Sequence, residues 1–439
     1  MTDTSTATVA IGSAPNPAGP VTAGPATASS SSAIPTAAGV SRPARPAGST
    51  ASKPTGSTPT KTVTTLAGSR TRPPGPPTSP TTPAEAATTK PIKLPDTCAG
   101  RALAALTPAQ RIGQLIMIGV PIDQPAADID VLRRVPVGGV FLQGHSSVDS
   151  GQIADGISRV QKAAGKVSGA LLHVAVDQEG GQVQSLGDPD FPPIPAAEQQ
   201  GRLSRSDLAQ QTRDWAKLLV DIGVTIDLAP VADTVPEGTA AQNPPIGAFS
   251  RQYGSDPSDV AESITTVVTA MQDEGLDATV KHFPGLGRVR ANTDTSANSV
   301  DDEATTDDPF LEPFKAAIDA GTTAVMISSA NYPQLDADAP AVFSKTIITG
   351  LLRGKLGFHG LVMTDDIGNA VAVSAFSPGE RATKFIDAGG DLILSVNFDD
   401  LEPMTVALAG KAKADPAFAA KVDAAALHVL AGKKLAGCT

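Results

Sequence analysis

Lysine and histidine stand side by side at positions 281 and 282, after the apolar run Ala278-Thr279-Val280 and just before Pro284, Gly285 and Gly287. Two donors delivered together into a Gly-rich polar loop are an unusual use of a strand end, since loops held by a rigid scaffold are where binding and catalysis are placed. Carboxylates recur at comparable places. Asp177 and Glu179 follow Ala175-Val176, Asp227 and Asp233 flank an apolar stretch, and Asp365-Asp366 follow Leu361-Val362-Met363-Thr364. Carboxylates accept hydrogen bonds from sugar hydroxyls while Lys and His donate, so the set suits a neutral polyol. The same carboxylates can cleave a glycosidic bond, which takes a nucleophile and an acid/base about 5–5.5 Å apart for retention. Any one of them alone could equally be a strand-end cap, and Asp365 and Asp366 are both candidates to cap the next helix. The five histidines (His145, His173, His282, His359, His428) show no paired ligand spacing, so no metal is expected. Neither a G-x-S-x-G elbow nor a phosphate-binding loop is present, and no cofactor is expected.

Bringing these groups to one rim requires a scaffold, and the pattern from Cys98 onward supplies one. Short apolar runs alternate with longer amphipathic stretches, as in repeated βα units on a parallel sheet. The expected strands are Gln114–Val120, Val137–Leu142, Leu171–Val176, Thr225–Leu228, Ala278–Lys281, Thr323–Ile327, Leu361–Met363 and Asp391–Leu394. Between them, Ser204–Gly223, Pro257–Gly275, Ser344–Gly357, Pro378–Gly389 and Asp415–Leu435 read as helices, several stopping on glycine. Eight strands with intervening helices imply an α/β fold of the (β/α)8 barrel type, in which strand C-terminal ends carry the chemistry. A doubly wound open sheet is the competitor, but no G-x-G-x-x-G follows the first strand.

The first 96 residues are a different material: Pro, Thr, Ser, Ala and Gly without period and without Phe, Trp or Tyr. Such a segment cannot bury enough apolar surface to offset its ordering entropy, so 1–96 reads as a disordered Pro/Thr-rich linker and 97–439 as the barrel. The linker carries eight basic residues against three acidic ones, so the barrel is more acidic than the net −11 of the whole chain. That argues against nucleic acid as a partner. No apolar run approaches the ~20 residues of a membrane span. Cys98 and Cys438 lie at the two ends of the barrel with no cysteine between. Barrel termini are often neighbours, so a disulfide between them is expected, limiting the unfolded chain by on the order of 5 kcal/mol. The pairing points to an extracellular or cell-envelope location, with a cytoplasmic one as the alternative, although no signal peptide is visible. A monomer is expected.

The segments AVDQEGG (175–181), DLAPVAD (227–233), RQYGSDP (251–257), KHFPGLG (281–287) and TDDIGNA (364–370) resemble glycoside hydrolase family 3. They look most like its single-domain bacterial β-N-acetylhexosaminidase branch, which trims N-acetylglucosamine from cell-wall material. The resemblance runs in order over nearly all of 98–439. Carried over by position, it implies that Asp365 is the nucleophile that forms the glycosyl-enzyme. It also implies that Asp177, Arg251, Lys281 and His282 bind the terminal sugar.

The pattern departs from the family in two places. The branch writes its loop as KHFPGHG followed by an Asp-Ser-His triplet, whose His is the acid/base and whose Asp orients it. Here Leu286 replaces the first loop His, and Asn292-Thr293-Asp294 replaces the triplet. Asp294 then either serves as a carboxylic acid with a raised pKa, beside Asn292 as its partner or a substrate ligand, or merely shapes a turn with Asn292. The arginines that the branch carries after DQEGG are here Gln182 and Ser185. The resemblance implies a retaining exo-β-glycosidase, a β-N-acetylhexosaminidase acting on peptidoglycan-derived or chitin-like oligosaccharides. The alternatives are a catalytically impaired glycan-binding barrel, a β-glucosidase or a phosphorolytic variant.

Overall fold

Strands that are apolar on both faces must be covered on both, and a closed parallel barrel ringed by helices does this. The computed structural model describes residues 96–187, 189–433 and 435. Its barrel strands are β1 Ile116–Pro121, β2 Gly139–Gln143, β3 His173–Val176, β4 Ile226–Asp227, β5 Asp277–Phe283, β6 Ala324–Ile327, β7 Leu361–Thr364 and β8 Ile393–Ser395. All pair in parallel and in chain order, with β8 beside β1. The seam between β7 and β8 is closed by a bridge between Met363 and Leu392, where the Thr364 N–H donates to the Leu392 carbonyl at 3.0 Å. The linker expected over 1–96 lies outside the described residues except for Asp96, and so does Cys438.

Side chains alternate along each strand. Met117, Phe141, Ala175, Ile226, Met326, Met363 and Leu394 belong to one inner cluster. Ile116, Ile118, Val140, Val174 and Val325 join the larger core shared with the helices. Ser204 caps Arg205–Asp221, Asp256 caps Pro257–Asp273, and Asp415 caps Pro416–Ala431. Pro378–Ala388 opens with a reciprocal Ser377–Glu380 capping box and ends at Gly389, whose φ of 103° suits glycine.

All eight expected strands are present, with shifted ends. Gln114 closes the helix Pro108–Gln114 instead of opening β1, because Thr107 and Gln110 form a capping box and the Gln114 side chain is spent on the Ser168 carbonyl at 2.9 Å. The helix Ser150–Ser168, absent from the expected set, is capped by Asp149 and buries Ile153, Ile157, Val160 and Ala164. Thr346–Lys355 winds as a wide π-helix within the stretch read as an ordinary helix. The last helix stops at Ala431 instead of running to Leu435. Among the described residues no helix is long and apolar enough to cross a membrane.

Candidate active site

The seven residues singled out in the sequence, Asp177, Arg251, Lys281, His282, Asn292, Asp294 and Asp365, line one cavity of about 310 Å³ at the C-terminal ends of the strands. Phe141, Leu228, Met326 and Leu394 contribute its apolar surface. A cavity of similar size, about 340 Å³, lies at the opposite end of the barrel around His173 and Lys433. Volume does not separate the two. What sets the upper one apart is that charged groups from several strand ends converge there.

A regular strand would send consecutive side chains to opposite faces. At the end of β5 the pairing with β6 slips between Val280 and Phe283, and Lys281 and His282 both face the cavity. Lys281 is only 2% exposed. Its Nζ lies 2.6 Å from Asp177 Oδ1 and 2.6 Å from Glu179 Oε1. Burial opposes its charge, but the two carboxylates outweigh burial and raise its pKa. Glu179 also takes a two-point contact from Arg251, with Nε at 2.8 Å and Nη2 at 2.7 Å. Burial alone would raise the Glu179 pKa; Arg251 and Lys281 override it and hold the carboxyl at about 2.

His282 is oriented from behind. Its Nδ1 is 2.7 Å from Asp233 Oδ2, which makes Nδ1 the protonated nitrogen, donating to that carboxylate. Asp233 is fully buried and also accepts from the Leu286 N–H at 2.7 Å. His282 Nε2 is thereby presented to Arg251 Nη2 at 3.4 Å and to Asp365 Oδ2 at 4.0 Å. The β4 and β5 loops can meet at Asp233 because Gly287 lies against the Thr234 carbonyl, where any Cβ would collide. Asp227, buried beside this network, accepts from the Gln178 N–H at 3.0 Å. Burial pushes its carboxyl up to about 8.

Asp365 follows β7 and is partly open, with its side chain 26% exposed. Its backbone N–H reaches the Ile327 carbonyl at 3.3 Å, and its Oδ1 accepts from the Asp366 N–H at 2.8 Å. Neither residue caps a helix, since Val371–Val373 starts after Ala370 without a side-chain cap; the Asp366 carboxylate instead accepts from the backbones of Gly368, Asn369 and Val396. Asn292 accepts from the Asp294 N–H at 2.9 Å, a local turn contact. The turn is therefore made by the Asn292 side chain, and no hydrogen bond occupies the Asp294 carboxyl among the described residues. Partial burial and the Asp365 carboxylate push that carboxyl up to about 6, against the pull of His282 and Arg251.

The sequence profile described as the glycosyl hydrolase family 3 N terminal domain matches residues 107–431. The chain belongs to glycosyl hydrolase family 3. It is 33% identical over 313 residues to a beta-hexosaminidase of Xanthomonas campestris pv. campestris (strain B100), covering 68% of this chain and 88% of the relative. The crystal structure of a beta-N-acetylhexosaminidase from Beutenbergia cavernae DSM 12333 is 44% identical, with a TM-score of 0.73 over 75% of this chain and 98% of that one. A glycoside hydrolase family 3 beta-N-acetylglucosaminidase from Paenibacillus sp. str. FPU-7 is 31% identical, with a TM-score of 0.69 over 75% of this chain and 62% of that one.

The family barrel thus carries its strand-end groups as two arrangements, one paired and one open. Glu179 and Asp233 were visible within AVDQEGG and DLAPVAD but had no assigned part. Their partners lie 72 and 49 residues away in the chain, and no local pattern reveals such pairing. Ser185 turns inward to backbone contacts, donating to the Asp177 carbonyl and accepting from the Ser146 N–H. Val183, two residues before it, lines the cavity.

Proposed function

We propose that the protein is a retaining exo-β-glycosidase that removes terminal N-acetylhexosamine, with Asp365 as nucleophile and Asp294 as acid/base. The observation that carries this reading is the Asp294 carboxyl, free of hydrogen bonds among the described residues and pushed up to about 6, in the same cavity as Asp365. In the first step an Asp365 carboxylate oxygen attacks the anomeric carbon. The bond to the leaving oxygen breaks, and that oxygen takes the Asp294 proton. In the second step water gives a proton to Asp294 and its oxygen to the anomeric carbon, releasing Asp365 and retaining the configuration. Asp177, Arg251, Lys281 and His282 hold the sugar, and Asn292 fixes the turn that presents Asp294.

The names of the Beutenbergia and Xanthomonas relatives support the acetamido preference. We assign the substrate to peptidoglycan-derived or chitin-like oligosaccharides, and the protein to the cell envelope or exterior as a monomer with a Cys98–Cys438 disulfide. Incubation with an aryl N-acetyl-β-glucosaminide tests the reaction. Release of the phenol, with the β-anomer of the sugar as first product, is expected. Glycan binding without release would instead favour a barrel that only binds.

A further inference from the structure

The turn after Asp365 is built more firmly than a connecting loop needs to be. Asp366 Oδ1 accepts from the Gly368 N–H at 2.8 Å and the Val396 N–H at 3.0 Å, and Oδ2 accepts from the Asn369 N–H at 3.2 Å. Arg381, itself buried, donates from Nη1 to the carbonyls of Ile367 and Gly368. Gly368 packs so closely against Ser395 Oγ that no side chain fits there.

This turn leads into Val371 and Ala372, whose N–H groups donate to the carbonyls of Asp294 at 3.3 Å and Thr293 at 3.0 Å. Among the described residues, these two are the hydrogen bonds that fasten Thr293 and Asp294 to another part of the fold. The remaining bond, from the Asp294 N–H to Asn292, is internal to the stretch. The hydrogen bonds of Asp365 itself do not involve the Asp366 carboxylate. Asp365 rests on the Ile327 carbonyl, on the Asp366 backbone N–H and on the β7–β8 seam.

We infer that Asp366 is a positioning residue for Asp294, acting through the 368–372 turn. The inference rests on the reading of Asp294 as the proton donor. Its physical basis is that a donor misplaced by about 1 Å loses on the order of 10²-fold in rate. A nucleophile held by separate hydrogen bonds keeps its reach. The side-chain signature is therefore selective. Loss of Asp366 should matter where the leaving group needs a proton and much less where it does not.

Asp366→Asn keeps an oxygen for Gly368 and Val396 but sets an amide N–H₂ against the Asn369 N–H. Val371→Pro removes the single N–H that reaches Asp294, at the first position of the short helix Val371–Val373, where proline fits after the extended Ala370. Both variants, with unfolding midpoints measured alongside, are assayed on N-acetyl-β-glucosaminides with dinitrophenyl and with alkyl leaving groups. The expected result is a fall in kcat/KM for the alkyl glycoside at least about tenfold larger than that for the dinitrophenyl glycoside. Equal losses on both substrates, or no loss on either, overturn the inference. Asp294→Ala is run in parallel. If it discriminates between the substrates while Asp366→Asn and Val371→Pro do not, only the positioning role falls. If it does not discriminate, the proton-donor reading falls and takes this inference with it.

Discussion

The two sides of the cavity are built on opposite plans. The wall formed by β3, β4 and β5 is a buried network in which each basic side chain faces a carboxylate: Lys281 with Asp177 and Glu179, Arg251 with Glu179, His282 with Asp233. The lip formed by Asn292, Thr293 and Asp294 is exposed at Asp294 and fastened by two backbone hydrogen bonds. Groups that must hold a neutral sugar in one pose benefit from such over-determination. A group that must give and take a proton benefits from being unpaired, because a partner would fix its protonation state. Glu179, clamped by two cations, is held at about 2, whereas Asp294 is pushed to about 6 by partial burial and then by the Asp365 carboxylate. Two carboxyls in one site are driven in opposite directions by their surroundings.

Removing the hub of the wall is the strongest way to break this contrast. Glu179→Gln leaves Arg251 and part of the Lys281 charge unpaired in a buried setting. It should cost about 3 kcal/mol of stability at neutral pH, measured by urea unfolding. A depressed folded-state pKa contributes stability that is present above the ordinary carboxylate value and lost as pH falls through the folded one. The deficit should therefore shrink as pH drops from about 4.5 toward about 2. A variant as stable as wild type at neutral pH would show that the wall is not held by its charges.

A pH-dependent effect sharpens the picture of the wall. Asp227 stays protonated in the folded protein up to about 8, while the unfolded chain ionises it near 3.8. The wild type thus loses stability as pH rises across that window. Asp227→Asn keeps the acceptor for the Gln178 N–H and escapes this loss. Its melting point should exceed that of wild type by about 5–10 °C at pH 8 and match it near pH 4. Equal destabilisation at both pH values would mean that Asp227 is ionised in place.

The barrel was legible because buried parallel strands write themselves as apolar runs, and helices as capped amphipathic stretches ending at residues such as Gly389. What escaped had physical reasons. Gln114 reads as apolar-flanked strand until the Thr107–Gln110 capping box and the Ser168 contact pull it into a helix. By residue type Asp365 and Asp366 were interchangeable and only the resemblance singled out Asp365; the backbone around Gly368 shows that it is the Asp366 carboxylate that is spent. Asp294 and Asn292 were recognised as replacing a family His–Asp pair. That the turn consumes the asparagine and leaves the aspartate free depends on geometry alone.

The central claim is that Asp294 supplies the proton, and its removal in the presence of azide tests it most directly. With Asp294→Ala, kcat/KM for an alkyl N-acetyl-β-glucosaminide should fall by about 10²–10⁴-fold. A dinitrophenyl substrate should still form the glycosyl-enzyme on Asp365, and azide should speed its turnover and yield the β-glycosyl azide. Wild-type kcat/KM should decline as pH rises through about 6, where Asp294 loses its proton, and the variant should lack that decline. An Asp294→Ala protein that hydrolyses the alkyl glycoside at the wild-type rate and keeps the same pH profile would contradict the account.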